Sequence, residues 1–139
     1  MELTEREKAI RAAAIMDTDG CIYINKPDYI VVCSVVGIQR KLHEWLMQEY
    51  GGSICTKQPS HRDGYNRQTI YEWRLAAKMS EDFLSEVLPF LLLKRPQAEC
   101  ALSLRELQGH EFRNAEVEAK RERWEQCYQR MRELNSGTS

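Results

Sequence analysis

The run Ala12-Ala13-Ala14-Ile15-Met16-Asp17-Thr18-Asp19-Gly20 carries small and apolar residues straight into Asp-x-Asp-Gly. Thr4 and Glu7, three residues apart, have the spacing of a capping box, so a helix opens there and runs to about Asp19, where Gly20 stops it. Its last turn holds unpaired carbonyls and the negative end of the helix dipole, a poor place for two acids. A divalent cation reverses that penalty, because carboxylates and free carbonyls are both hard oxygen ligands. Ile10, Ala13, Ala14 and Asp17 fall on one helical stripe. Small residues there would let a second backbone approach closely.

The remaining chain reads as alternating strands and helices. Cys21 to Asn25 is a strand, Lys26-Pro27-Asp28 is turn chemistry, and Tyr29 to Ile38 is a β-branched second strand. Gln39 to Tyr50 has helical period and ends at Gly51-Gly52. Ser53 to Gln58 and Arg67 to Ala77 are two more strands around a polar loop, 59–66. Ser80 is the expected cap of a helix to about Leu88, and Pro96 opens another to about Leu107. A last helix runs from about Phe112 to Leu134, with Val117, Trp124, Cys127, Tyr128 and Met131 as its apolar stripe. Residues 135–139 read as a disordered tail. This order predicts an α+β fold, with helices on one face of an antiparallel four-stranded sheet and the other face left open. Residues 1–109 are expected to form that domain, and 110–139 a C-terminal helix and tail.

With 139 residues, one modest core is expected. No apolar run is long enough for a membrane span. Five cysteines, odd in number and without a CxxC pair, indicate neither a zinc site nor a disulfide framework and fit an intracellular setting. The net charge of −1 argues at first against nucleic acid. Yet residues 21–78 hold eight Lys/Arg against five Asp/Glu, an excess of three positive charges in the segment read as sheet.

Residues 12–20 resemble, in register, the LAGLIDADG motif of homing endonucleases. The likeness spans about residues 4–104, with the family's αββαββα order and extra C-terminal helices. Gly37 to Leu46 is similar to its strand-to-helix junction, and Leu88 to Glu99 to the block where a lysine follows a Pro-aromatic-Leu stretch. The resemblance implies a site-specific endonuclease that cleaves both strands of a long, near-palindromic duplex and leaves 3′ overhangs. It implies Mg²⁺ as cofactor, with Mn²⁺ able to substitute and Ca²⁺ binding without turnover, and no organic cofactor. By the same resemblance, Asp19 is the metal-binding carboxylate and Thr18 offers its main-chain carbonyl. Gln39 and Lys94 match the positions that order water around the scissile phosphates, and His43 stands where some relatives place arginine. One motif per chain implies a homodimer sealed along Ile10, Ala13, Ala14 and Asp17, with both Asp19 residues at the two-fold axis.

Strand alternation then nominates the DNA-reading side chains. They are Tyr23 and Asn25 on the first strand, and Val32, Ser34, Val36 and Ile38 on the second, with Arg40 just beyond. Lys57 serves on the third strand. Burial of Tyr71, Trp73 and Leu75 would expose Gln68, Ile70, Glu72 and Arg74 on the fourth. His61, Arg62 and Arg67 are expected at the loop, touching phosphate or outer bases. Two alternatives keep the fold and lose the cutting: an RNA-splicing maturase and a DNA-binding regulator.

Overall fold

A computed structural model of the chain describes residues 2–57, 68–109 and 117–137. In chain order the elements are α1 (Glu5–Asp19), β1 (Gly20–Asn25), β2 (Ile30–Gly37), α2 (Arg40–Tyr50), β3 (Ser53–Lys57) and β4 (Ile70–Ala76). Then come α3 (Lys78–Val87), a 3₁₀ turn (Leu88–Phe90), α4 (Arg95–Gln108) and α5 (Val117–Asn135). The strands form one antiparallel sheet in the order β1-β2-β4-β3. The expected α+β layout is present, and the second hairpin docks its later strand, β4, beside β2.

Helix α1 begins as its sequence requires. The Glu7 amide donates to the Thr4 hydroxyl at 3.1 Å, and the Thr4 amide donates to the Glu7 carboxylate at 2.9 Å. This reciprocal pair also holds the Glu7 carboxyl below its usual range. The other end passes into β1 with no loop. The Gly20 amide still closes the helix by donating to the Met16 carbonyl, while its own backbone is already extended. A Cβ on Gly20 would lie 2.6 Å from the Met16 sulfur and 2.7 Å from the Met16 Cα. Glycine is needed here for close approach, not for a left-handed backbone.

The core lies between the helices and one face of the sheet. Ile22, Val31, Cys33, Val35, Trp73 and Leu75 line the sheet side. Ala12, Met16, Leu46, Phe83, Val87 and Leu104 come from the helices. Phe83 stands edge-on to Trp73 and Tyr50, with ring centroids 5.3 and 4.8 Å away. The Trp73 indole donates to the Gly51 carbonyl at 2.8 Å, so its one polar atom is satisfied inside the core. Burial raises the Cys33 thiol to about 12, so it is protonated and packs as a small apolar side chain.

Several boundaries differ from the sequence expectation. Tyr29 lies outside β2, in the left-handed region at φ 57°, with its ring buried. Ser80 is buried inside α3 and is not its cap, because the helix starts earlier at Lys78. Asn135 is not part of a loose tail. It ends α5 and donates to the Ile22 carbonyl of edge strand β1 at 2.8 Å. Met131 of the same helix is 1% exposed and belongs to the core cluster.

Replacing Gly20 by alanine should push β1 off α1. The expected cost is about 1–3 kcal/mol, the usual range for overpacking, read from the urea midpoint. An unchanged midpoint would refute the close-approach requirement.

Candidate functional site

Strand register defines the open face of the sheet. Trp73 pairs with Val35 and Ile54 on the core side, so Glu72 pairs with Val36 and Cys55 on the open side. Successive open-side rows then hold Tyr23, Val32 and Ala76, and Cys21, Ser34, Arg74 and Ser53. Asn25 and Ile30 close the row at the far end, and Ile70 and Lys57 the row at the near end. Burial of Trp73 thus sets the fourth-strand register and places Ile70, Glu72 and Arg74 on the open face.

Not every nominated reader is accessible. Val36 and Ile38 are exposed, at 51% and 47%. Val32 and Ser34 share their face but are buried, at 0% and 4%, and cannot meet a base. The reason is position. β2 is an inner strand, and the longer side chains of Tyr23 and Arg74 stand beside these two short ones. Tyr23 and Asn25 are half-buried, while Lys57, Gln68 and Arg74 are exposed. Burial raises the Tyr23 phenol, the Arg74 guanidinium opposes that, and the Glu72 carboxylate adds to it, so the neutral phenol and two opposite charges share one patch. Arg40 is exposed but bonded to Glu44 at 2.7 Å, which raises it above the ordinary guanidinium range. His61, Arg62 and Arg67 lie outside the described residues.

At the near end of this face sits the junction of α1 with β1. Asp19 is exposed at the helix terminus. The Thr18 hydroxyl donates back to the Ala14 carbonyl at 3.0 Å, so its side chain is committed to its own helix. Asp17, expected on the seam, has its carboxylate engaged within its own chain. Its carboxylate accepts from the amides of Leu92, Leu93 and Lys94 at 2.8, 2.9 and 2.9 Å. This clamp holds Lys94, the N-cap of α4, beside the end of α1. The Lys94 ammonium is near enough to act electrostatically on Cys21 of β1. It opposes the upward shift that burial imposes on the Cys21 thiol.

Gln39 is the exposed N-cap of α2 and leaves its side chain free of any cap bond. Its carbonyl faces His43 Nδ1 at 2.7 Å, and His43 Nε2 faces the Val35 carbonyl at 3.1 Å. The ring is 1% exposed. His43 therefore anchors the β2–α2 junction from beneath and does not project onto the open face as an arginine could. Its spacing three residues before buried Leu46 is the sequence signal for that inward position.

Ala13 departs from the expected outward stripe. It is fully buried in the core of its own chain, whereas Ile10 and Ala14 are exposed. The outward line of α1 runs Ile10, Ala14, Thr18, rotated from the expected stripe. Beside it Leu92 and Leu93 stand 81% and 64% exposed. The sequence places these two leucines in the block before Lys94 but gives them no role of their own.

The donor set at Asp19 suits a hard cation. Among the described residues no three His, Cys, Asp or Glu side chains cluster to hold a metal. An ion at Asp19 would draw its other oxygens from groups such as main-chain carbonyls, phosphate, water or a second copy.

No family model and no curated protein matches the chain. Solved structures do. The homing endonuclease I-CvuI, in complex with its target in the presence of calcium, matches with a TM-score of 0.74 and 20% identity, over 97% of this chain and 86% of that one. The archaeal intron-encoded homing endonuclease I-Vdi141I, complexed with DNA, matches at 0.70 and 12% identity, over 94% and 86%. I-SmaMI, bound to uncleaved DNA target with calcium ions, matches at 0.58 and 18% identity, over 99% of this chain but 47% of its own. The fold is that of the LAGLIDADG homing endonucleases.

Asp17→Ala should release three backbone donors and cost about 2 kcal/mol, measured by urea unfolding. The amides of residues 92–94 should lose hydrogen-exchange protection. Retained protection would mean the clamp is unimportant.

Proposed function

We propose that the protein is a site-specific DNA endonuclease, acting as a homodimer with divalent metal, Mg²⁺ by preference. Both strands of a long, near-palindromic duplex would be cut, leaving 3′ overhangs. The observation that carries this is the exposed Asp19 at the loopless α1–β1 junction, with Lys94 clamped beside it and an open sheet face running away from it. The solved homing endonucleases of the same fold are bound to DNA, which supports the reading. This chain spans less than half of I-SmaMI, as one of two copies would.

The roles follow from chemistry. Asp19 and the Thr18 carbonyl hold the cation. A metal, when bound, would supply Lewis acidity and make a hydroxide nucleophile available near neutral pH. The Lys94 ammonium stabilises negative charge gathering on the phosphoryl oxygens. The free side chain of Gln39 orients water, and His43 keeps that residue in place through its carbonyl. Arg74, Lys57 and Gln68 contact phosphates or base edges, while Val36, Ile38 and Ile70 offer contact to thymine methyl groups. Glu72 accepts from a cytosine amino group. His61, Arg62 and Arg67 remain proposed outer contacts.

Dimerisation would bring the α1 helices together along Ile10 and Ala14, with Leu92 and Leu93 flanking the seam. A two-fold axis there would bring both Asp19 residues together, each facing one phosphate across the DNA minor groove. Ile10→Glu should yield a monomer by light scattering, whereas a persistent dimer would locate the seam elsewhere.

Cleavage is tested by incubating the protein and Mg²⁺ with the genomic sequence flanking its coding region, joined without that region. A double-strand cut is expected. Asp19→Asn should lower the rate about a hundredfold or more while leaving calcium-supported binding close to wild type. Binding without any cut by the wild-type protein would favour a regulator, and preferential capture by structured RNA a maturase.

A further inference from the structure

The turn joining β1 to β2 sits at the opposite end of the open face from Asp19. β1 starts at Gly20 and ends at Asn25, so the turn lies roughly 17–20 Å further along, at about 3.3 Å per residue. Asn25 and Ile30, which flank the turn, are paired on the open face. On a duplex aligned with the sheet this corresponds to about five base pairs at 3.4 Å each.

The hairpin end is held from behind by both C-terminal helices. The Tyr29 hydroxyl donates to the Glu125 carboxylate of α5 at 2.6 Å. The Lys26 ammonium bridges the same carboxylate at 3.0 Å and lies 4.7 Å from the Tyr128 ring centroid. The Tyr29 ring packs against Trp124 and Tyr128, with centroids 5.9 and 6.3 Å away. From α4, the Gln108 amide donates to the Tyr29 carbonyl at 2.7 Å. Tyr29 has a left-handed backbone, which a bulky side chain adopts only when its surroundings enforce it. Glu125 also accepts from Gln129 at 3.0 Å. The Tyr29, Gln129 and Lys26 bonds hold its carboxyl down at about 2, so it is charged near neutral pH.

We propose that α5 is a strut for the β1–β2 hairpin, with Glu125 the positioning residue that aims Asn25 and Ile30 at the outer base pairs of each half-site. This rests on the DNA reading above. The strut also removes Lys26 from the phosphate-binding charge, because its ammonium is already paired with Glu125. Outer-site recognition therefore depends on side-chain placement more than on charge. Asn25 has the donor–acceptor pair that matches adenine in the major groove.

The test compares Glu125→Ala, Glu125→Gln and Tyr29→Phe with the wild-type protein. Amide hydrogen exchange without DNA is read first. Glu125→Ala should speed exchange at residues 25–30 about tenfold and leave β3 and β4 unchanged. Glu125→Gln, which still accepts from Tyr29, should recover most of the protection, with Tyr29→Phe in between. Base preference is read next, on duplexes that the wild-type protein selects in calcium from a randomised pool. Glu125→Ala should lose about fivefold or more discrimination at the outer positions of each half-site and little at the central ones. Unchanged exchange at 25–30 overturns the strut, as does a loss of preference spread evenly over the site. A wild-type protein that selects no duplex defeats the DNA reading, and the specificity role with it. The exchange profile still shows separately whether Glu125 anchors the hairpin.

Discussion

The direct passage of α1 into β1 is the constraint on which the rest of this structure depends. A loop there would let Asp19 wander. Here Gly20 closes the last helical bond and begins the strand in one residue, packed so tightly on Met16 that a methyl group has no room. The acid is thereby fixed at the corner where the helix axis meets the sheet. Asp17 completes the corner by binding three consecutive amides of the segment before α4. Two acids in one short motif thus do different work. One is exposed and available to a cation, and the other ties a distant lysine to the first.

The sheet continues that logic. β1 and β2 carry the geometry of the corner outward, and β4 pairs with β2 because its own register is locked by Trp73. A one-residue slip would put the indole in solvent and Glu72 in the core. Burial on one face therefore dictates which side chains the other face shows. The face so produced mixes apolar residues with few charges. It differs from a nonspecific phosphate binder, whose affinity would come from many lysines and arginines. The chain's near-neutral charge fits a surface that acts through shape and placement.

Much of this was legible in the sequence. The capping box, the helix stop at Gly20, the four strands and the open face follow from local spacing and alternation, which act within a few residues. The alternation also identified Arg74, Glu72 and Ile70, since burying one large indole settles a whole strand. Accessibility was not legible. Val32 and Ser34 alternate correctly, yet neighbours on two other strands bury them. Ala13 and Ala14 are adjacent and chemically identical, yet one faces the core and the other faces out, a rotation that helical period alone leaves open.

By itself, the order of residues determined the element types, the carboxylate at a helix end and the strand faces, because hydrogen-bond geometry and side-chain period are local. Tertiary structure decided the strand order, the clamp from Asp17 to Lys94 and the grip of Glu125 on Tyr29 and Lys26. Each of these joins groups far apart in the chain or chooses between two faces. Only the packing of helices on the sheet brings such partners to hydrogen-bonding distance, so no spacing rule along the sequence could have announced them.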